Sequence, residues 1–139
     1  MFRKHISFTA LGLMLLVSAA FAQTKILPSF KIVPLGVMGG IDESNLSAYM
    51  VAAEGTTNYI CLDAGTLHYG IEKAVSNRVF SISVDDVLRR YIKGYFISHA
   101  HLDHVAGLII NSPDDTAKNI YGLASTLKTI RSDYFTWES

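Results

Sequence analysis

The chain has 139 residues, half of them hydrophobic and 17% charged, with 12 basic and 12 acidic side chains in formal balance. That length suits one modest domain or part of a larger one and excludes two full cores. Its Lys and Arg residues are scattered rather than clustered, which excludes the electrostatic footprint of a nucleic-acid binder.

Residues 1–22 read as a secretory signal peptide. Arg3, Lys4 and His5 make a basic start, Ala10 to Ala20 an apolar run too short to span a bilayer, and Ala20-Phe21-Ala22 a small-x-small cleavage pattern before Gln23. The mature chain, 23–139, loses Arg3 and Lys4 and so carries 10 basic residues against 12 acidic, a net charge of −2. With no further long apolar run, it is expected to be a soluble periplasmic or secreted protein with no membrane attachment after cleavage. Export normally favours disulfides, yet Cys61 is the only cysteine, and within Tyr59-Ile60-Cys61-Leu62 it reads as a buried strand thiol.

Along the mature chain, Phe30 to Leu35 is expected as a first strand, closed by Gly36 and the turn-prone Gly39-Gly40. Leu46 to Ala53 and Asn58 to Leu62 follow as two strands of a hairpin joined by Glu54-Gly55-Thr56-Thr57. Asp63-Ala64-Gly65-Thr66 is then a polar turn at a strand end, where α/β folds place their chemistry. Gly70 to Ser76 is a short helix with His68 near its start. Val84 to Ile92 is a longer helix, N-capped by Ser83 with Asp86 in a capping box and ended by Gly94. Arg89 and Arg90 belong to its solvated face, while Tyr91, Tyr95 and Phe96 are expected in the core. Tyr95-Phe96-Ile97 reads as a buried strand running into His99, Asn119 to Leu123 as another strand, and Ala124 to Tyr134 as a helix. A hairpin series followed by alternating strands and helices predicts a mixed α/β layer structure.

The stretch SHAHLDHVAGL, Ser98 to Leu108, concentrates three of the five histidines and an aspartate between His99 and His104. Burying such groups unpaired would cost about 2–7 kcal/mol each, whereas neutral imidazole and carboxylate oxygen together suit zinc. His99 and His101, one residue apart at a strand end, point to the same side in extended backbone and can share one metal. Asp103 and His104 come where the chain turns into a helix and can serve a neighbouring ion. Two ions about 3.5–4 Å apart can polarise a phosphoryl oxygen and steady a leaving alkoxide. Four protein ligands fall short of the roughly three that each open tetrahedral zinc takes.

His-x-His-x-Asp-His after a short apolar strand, preceded by Leu62-Asp63-x-Gly65, resembles the metallo-β-lactamase fold. The longer string HAHLDHVAGLIINSP, His99 to Pro113, resembles the signature of the class II cyclic nucleotide phosphodiesterases, and Asn45 to Met50, Leu62 to Thr66 and Asn119 to Leu123 share the likeness. The resemblance implies an αββα sandwich with a two-zinc centre that hydrolyses 3′,5′-cyclic nucleotides such as cyclic AMP to the 5′-nucleotide. It further implies that His99 and His101 hold the first metal and Asp103 and His104 the second, with Asp103 also orienting the nucleophile. Asp63 would orient a ligand imidazole; the alternative is that it only caps the Ala64-Gly65-Thr66 turn.

Members of that family continue further and supply another histidine for each metal and a bridging aspartate. This chain has no histidine after His104, and its last acidic residues are Asp133 and Glu138. It therefore resembles the N-terminal half of such an enzyme, from a truncated sequence or an interrupted reading frame. A half-sandwich of this kind is expected to leave an apolar sheet face bare and prone to aggregate or form homo-oligomers. Two other readings share these residues: a different hydrolase of the same fold, acting on a lactam, thioester or phosphodiester, and a non-catalytic metal-binding remnant.

Overall fold

The computed structural model describes residues 29–40 and 42–136; the expected signal peptide and its cleavage point lie outside the described residues. Five strands form one sheet in sequential order: β1 (Phe30–Gly36), β2 (Ala48–Ala53), β3 (Tyr59–Leu62), β4 (Ile92–Phe96) and β5 (Asn119–Tyr121). β1, β2 and β3 pair antiparallel, while β3–β4 and β4–β5 pair parallel across helical crossovers. The helices are α1 (His68–Ser76), α2 (Val84–Asp86, running on into a π-helical turn at Val87–Tyr91), α3 (Leu102–Asn111) and α4 (Ala124–Thr129, with a π-helical turn at Ile130–Tyr134).

Most expected elements are present with shifted ends. The β2–β3 turn takes its bend at Gly55, whose φ of +80° favours glycine, and Thr56 Oγ1 donates to the Ala53 carbonyl. Ser83 caps α2 by accepting from the Asp86 N–H at 3.1 Å. Two expectations are corrected. The helix after Ser83 stops at Tyr91, and Gly94 is a buried strand residue rather than a helix terminator. A Cβ on Gly94 would lie 3.0 Å from the Asn119 carbonyl oxygen, so the glycine permits close approach of β5. Phe96, expected in the core, is 50% exposed.

That exposure follows from strand alternation. One face of the sheet sends Val33, Leu35, Met50, Tyr59, Cys61, Ile92, Tyr95 and Ile97 into a core completed by Leu67 and Ile71, Val87 and Leu88, and Val105 and Leu108. The strand registers align the other face in two rows, Ile32–Val51–Ile60–Gly94–Asn119 and Pro34–Tyr49–Leu62–Phe96–Tyr121. Phe30 and Ile32 are 65% and 63% exposed there. The apolar face expected of a half-sandwich is thus bare among the described residues.

Cys61 is fully buried, and burial pushes its thiol pKa up, as expected for an inert strand cysteine. Buried Tyr95 finds a partner for its hydroxyl in Asp115 Oδ2 at 2.7 Å, and Asp115 also pairs with Lys118. Burial, then the Asp115 bond, raises the phenol pKa. The polar triad therefore fixes the segment leading into β5 without an unpaired buried group.

α3 lies directly on the loop that leaves β3. Ala64 N–H donates to the His104 carbonyl and Gly107 N–H to the Gly65 carbonyl, both at 2.8 Å. A Cβ on Gly65 would lie 2.1 Å from the Asp103 carbonyl oxygen, and one on Gly107 would lie 2.8 Å from that of Ala64. Gly65→Ala is therefore expected to destabilise by at least the 1–3 kcal/mol, roughly, of an overpacked core, read as a lowered thermal midpoint. An unchanged midpoint would show that the loop and α3 are not in tight register.

Candidate metal centre

β3 and β4 are parallel neighbours, so their C-terminal ends deliver Asp63 and the Ser98–His101 loop side by side. Asp63 adopts a left-handed backbone, φ +54°, which aspartate tolerates better than most residues. Its N–H donates to the Phe96 carbonyl at 2.8 Å, and its carboxylate turns into the neighbouring loop. Asp63 Oδ1 accepts from the Ser98 N–H at 2.8 Å, and Oδ2 accepts from Ser98 Oγ at 3.0 Å. Oδ2 also sits 2.8 Å from His104 Nδ1.

That last contact sets the histidine's chemistry. With its Nδ1–H engaged by a carboxylate, the His104 ring presents Nε2 outward, 3.3 Å from Asp103 Oδ2. His99 Nδ1 lies 3.1 Å from Ser98 Oγ, which ties the second ring to the same network. Donor atoms of His99, Asp103 and His104 all lie within 4.8 Å of one another. The His99 and His104 ring centroids are 3.9 Å apart. Nitrogen and carboxylate-oxygen donors at this separation fit one divalent metal of the zinc type.

His101 is next to this set without belonging to it. It occupies the N-cap position of α3 in extended backbone, and its ring centroid is 4.6 Å from that of His99. The alternation that was to pair His99 with His101 holds to that extent, but the tightest grouping joins His99 to Asp103 and His104. Asp103 sits in the first turn of α3, where the positive helix end favours a carboxylate, and Gly40 N–H donates to its Oδ2 at 3.1 Å. Partial desolvation pulls the Asp103 pKa upward, but the Gly40 bond and the neighbouring His104 and His99 outweigh it, and the net shift is downward.

Ser98 and Gly40 are the two contributors that residue patterns did not single out. Ser98 carried a weak signal as the one hydroxyl between the buried strand and the first histidine. Gly40, with φ +39°, read only as turn-prone. Of the other residues considered, His68 begins α1 with an exposed side chain 3.9 Å from Asp85. It also lines a cavity of about 780 Å³ beside Asp103, together with Glu43, Tyr69, Leu102 and Ile110. A second recess, about 440 Å³, lies on the side of His99 and His101 and is walled by Ser125, Thr126, Thr129, Asp133 and Tyr134. Glu138 lies outside the described residues.

Metal loading is expected to weaken on acidification. Ligands must be deprotonated to bind. The lowered Asp103 pKa keeps that carboxylate charged as the solution is acidified, so protons compete with the metal at the imidazole nitrogens. Zinc occupancy after dialysis should fall on acidification, and a flat profile down to acid pH would contradict ligation by histidine.

The chain is similar to known proteins in sequence and in fold. The family model of class-II cAMP phosphodiesterases matches residues 29–137. A 3′,5′-cyclic-nucleotide phosphodiesterase of Aliivibrio fischeri is 47% identical over 121 residues, covering 80% of this chain and 37% of that protein. A probable 3′,5′-cyclic-nucleotide phosphodiesterase of Yersinia pestis is 42% identical over 119 residues, covering 78% of this chain and 35% of that protein. The chain thus spans little more than a third of the length of these relatives. Among solved structures, unliganded yeast PDE1 superposes with a TM-score of 0.70 at 20% identity, over 79% of this chain and 46% of that one. The metallo-β-lactamase fold protein YhfI from Bacillus subtilis superposes with a TM-score of 0.51 at 19% identity, over 78% of this chain and 42% of that one. The fold is that of the metallo-β-lactamases, and the chain belongs to the class-II cAMP phosphodiesterase family.

Proposed function

We propose that this chain supplies the histidine–aspartate part of a zinc-dependent 3′,5′-cyclic-nucleotide phosphodiesterase, exported after removal of residues 1–22. The observation that carries the reading is the convergence of His99, Asp103 and His104 in front of the Asp63–Ser98 pair. His99, Asp103 and His104 would hold a metal, with His101 beside them for the neighbouring ion of a two-metal centre. Zinc there would supply Lewis-acid polarisation of a phosphoryl oxygen and a lowered pKa for water.

The chain's own groups do the positioning. Asp63 locks the His104 tautomer and ring angle, Ser98 couples that lock to His99, and Asp103, held as a carboxylate, orients the attacking water. In the reaction, water oxygen bonds to phosphorus, the P–O3′ bond breaks, and the proton ends on the 3′ oxygen, leaving the 5′-monophosphate. The cavity beside Asp103 falls in the size range of small-molecule sites, roughly 300–1,000 Å³. Self-association through the bare sheet face belongs to the same proposal.

The test is to incubate the zinc-loaded protein separately with cyclic AMP and with a β-lactam, and to separate the products by chromatography. Conversion of cyclic AMP to 5′-AMP, with the lactam untouched, is expected. Turnover of the lactam alone would move the protein to another hydrolase class, and zinc binding without turnover of either would favour a non-catalytic remnant. For export, Edman sequencing of the mature protein is expected to begin at Gln23, and an intact Met1 on the cell-envelope protein would contradict the signal-peptide assignment.

A further inference from the structure

We infer that Tyr134 is a positioning residue for the histidine loop, acting through the backbone between His99 and His101. Its hydroxyl donates to the Ala100 carbonyl at 3.0 Å across 34 residues of sequence, and Ala100 is the residue that separates the two histidines. The loop from Ser98 to His101 runs between β4 and α3 in neither strand nor helix. It is held from two sides, with the Ser98 N–H on Asp63 and the Ala100 carbonyl on Tyr134.

The second tie has a rigid base. Tyr134 packs against the core and closes the π-helical turn Ile130–Tyr134, whose first residue, Ile130, is buried. A π turn re-aims the side chains that follow it relative to an α-helical register, and such turns recur at functional sites. Tyr134 also stands in the wall of the recess it shares with His99, Ala100 and His101. That open space is where the loop would relax if the hydroxyl were lost. The ring packs from the α4 side, so removing only the oxygen separates the loop tie from the packing.

The inference rests on the metal-centre reading and is tested on metal binding alone, so it stays decidable whatever the substrate proves to be. Cobalt(II) is titrated into the metal-free full chain and into Tyr134→Phe, with visible ligand-field absorption as the readout. The titration is run at a temperature where circular dichroism shows both proteins folded. Tyr91→Phe, at the Tyr59–Phe80 aromatic cluster, serves as control for generic loss of a tyrosine hydroxyl. Loss of an outer partner of a metal site typically costs 10–100-fold in affinity, and Tyr134→Phe is expected to weaken cobalt binding by about tenfold and shift the absorption band, with Tyr91→Phe unchanged. Equal affinity and an unshifted band in Tyr134→Phe, or an equal loss in the control, would overturn the assignment. Should Tyr134→Phe fold poorly, amide hydrogen exchange decides at the folded temperature. Faster exchange confined to 99–104 supports the inference, and faster exchange spread over the whole sheet overturns it.

Discussion

Replacing His104 with alanine is expected to abolish tight divalent-metal binding while the sheet and helices remain folded. The imidazole is the junction of the site, with Nδ1 2.8 Å from Asp63 and Nε2 3.3 Å from Asp103. Its side chain is 18% exposed, so the ring is held rather than free to reorient. Loss of an outer partner typically costs 10–100-fold in affinity, and loss of a ligand should exceed that. The backbone role of the residue survives the change, because the bond from Ala64 uses the His104 carbonyl. Asp63 keeps both bonds from Ser98, so the stability loss should stay near 1 kcal/mol, roughly that of one net hydrogen bond. Isothermal titration with zinc, paired with circular dichroism, reads both quantities. Wild-type affinity in His104→Ala would remove this residue from the centre.

Asp63→Asn is expected to weaken zinc binding by about 10–100-fold and to lower the thermal midpoint by the loss of one accepted hydrogen bond, about 1 kcal/mol. An amide oxygen turned to His104 sets the amide nitrogen, which cannot accept, against the Ser98 N–H, and the amide brings no charge to hold the Nδ1–H and raise the basicity of Nε2. Asparagine is the suitable probe because it also tolerates the left-handed backbone found at φ +54°, whereas alanine there would add strain of about 1–2 kcal/mol and mix two effects. If Asp63→Asn binds zinc as tightly as the parent chain, Asp63 serves the turn and not the imidazole.

The elements that sequence patterns marked well are those whose pattern is local. β1, the β2–β3 hairpin, Ser83 as a cap and the helix after His101 follow from alternation, turn residues and capping chemistry within a few positions. The histidine–aspartate cluster was legible for the same reason, since His99 to His104 is one short run. What it lacked was the frame. Ser98 with Asp63 spans 35 residues and Gly40 with Asp103 spans 63, and no periodicity encodes which strand ends become neighbours. That donor atoms of His99 lie close to those of Asp103 and His104 depends on the bend into α3, which alternation alone does not contain. Gly94 read as a helix stop because glycine carries the same signal at a C-cap and at a close strand contact. Phe96 read as core because an apolar strand residue looks alike on either face until the register is known.

X-ray absorption at the zinc edge of the loaded protein measures most directly the proposed holding of zinc by imidazole nitrogen and carboxylate oxygen at this cluster. The expected spectrum has nitrogen and oxygen neighbours at about 2.0–2.1 Å with imidazole scattering behind them, and it disappears in His104→Ala. A sulfur neighbour at about 2.3 Å, which would require Cys61 to leave its buried place in β3, or a spectrum identical in His104→Ala, would contradict it.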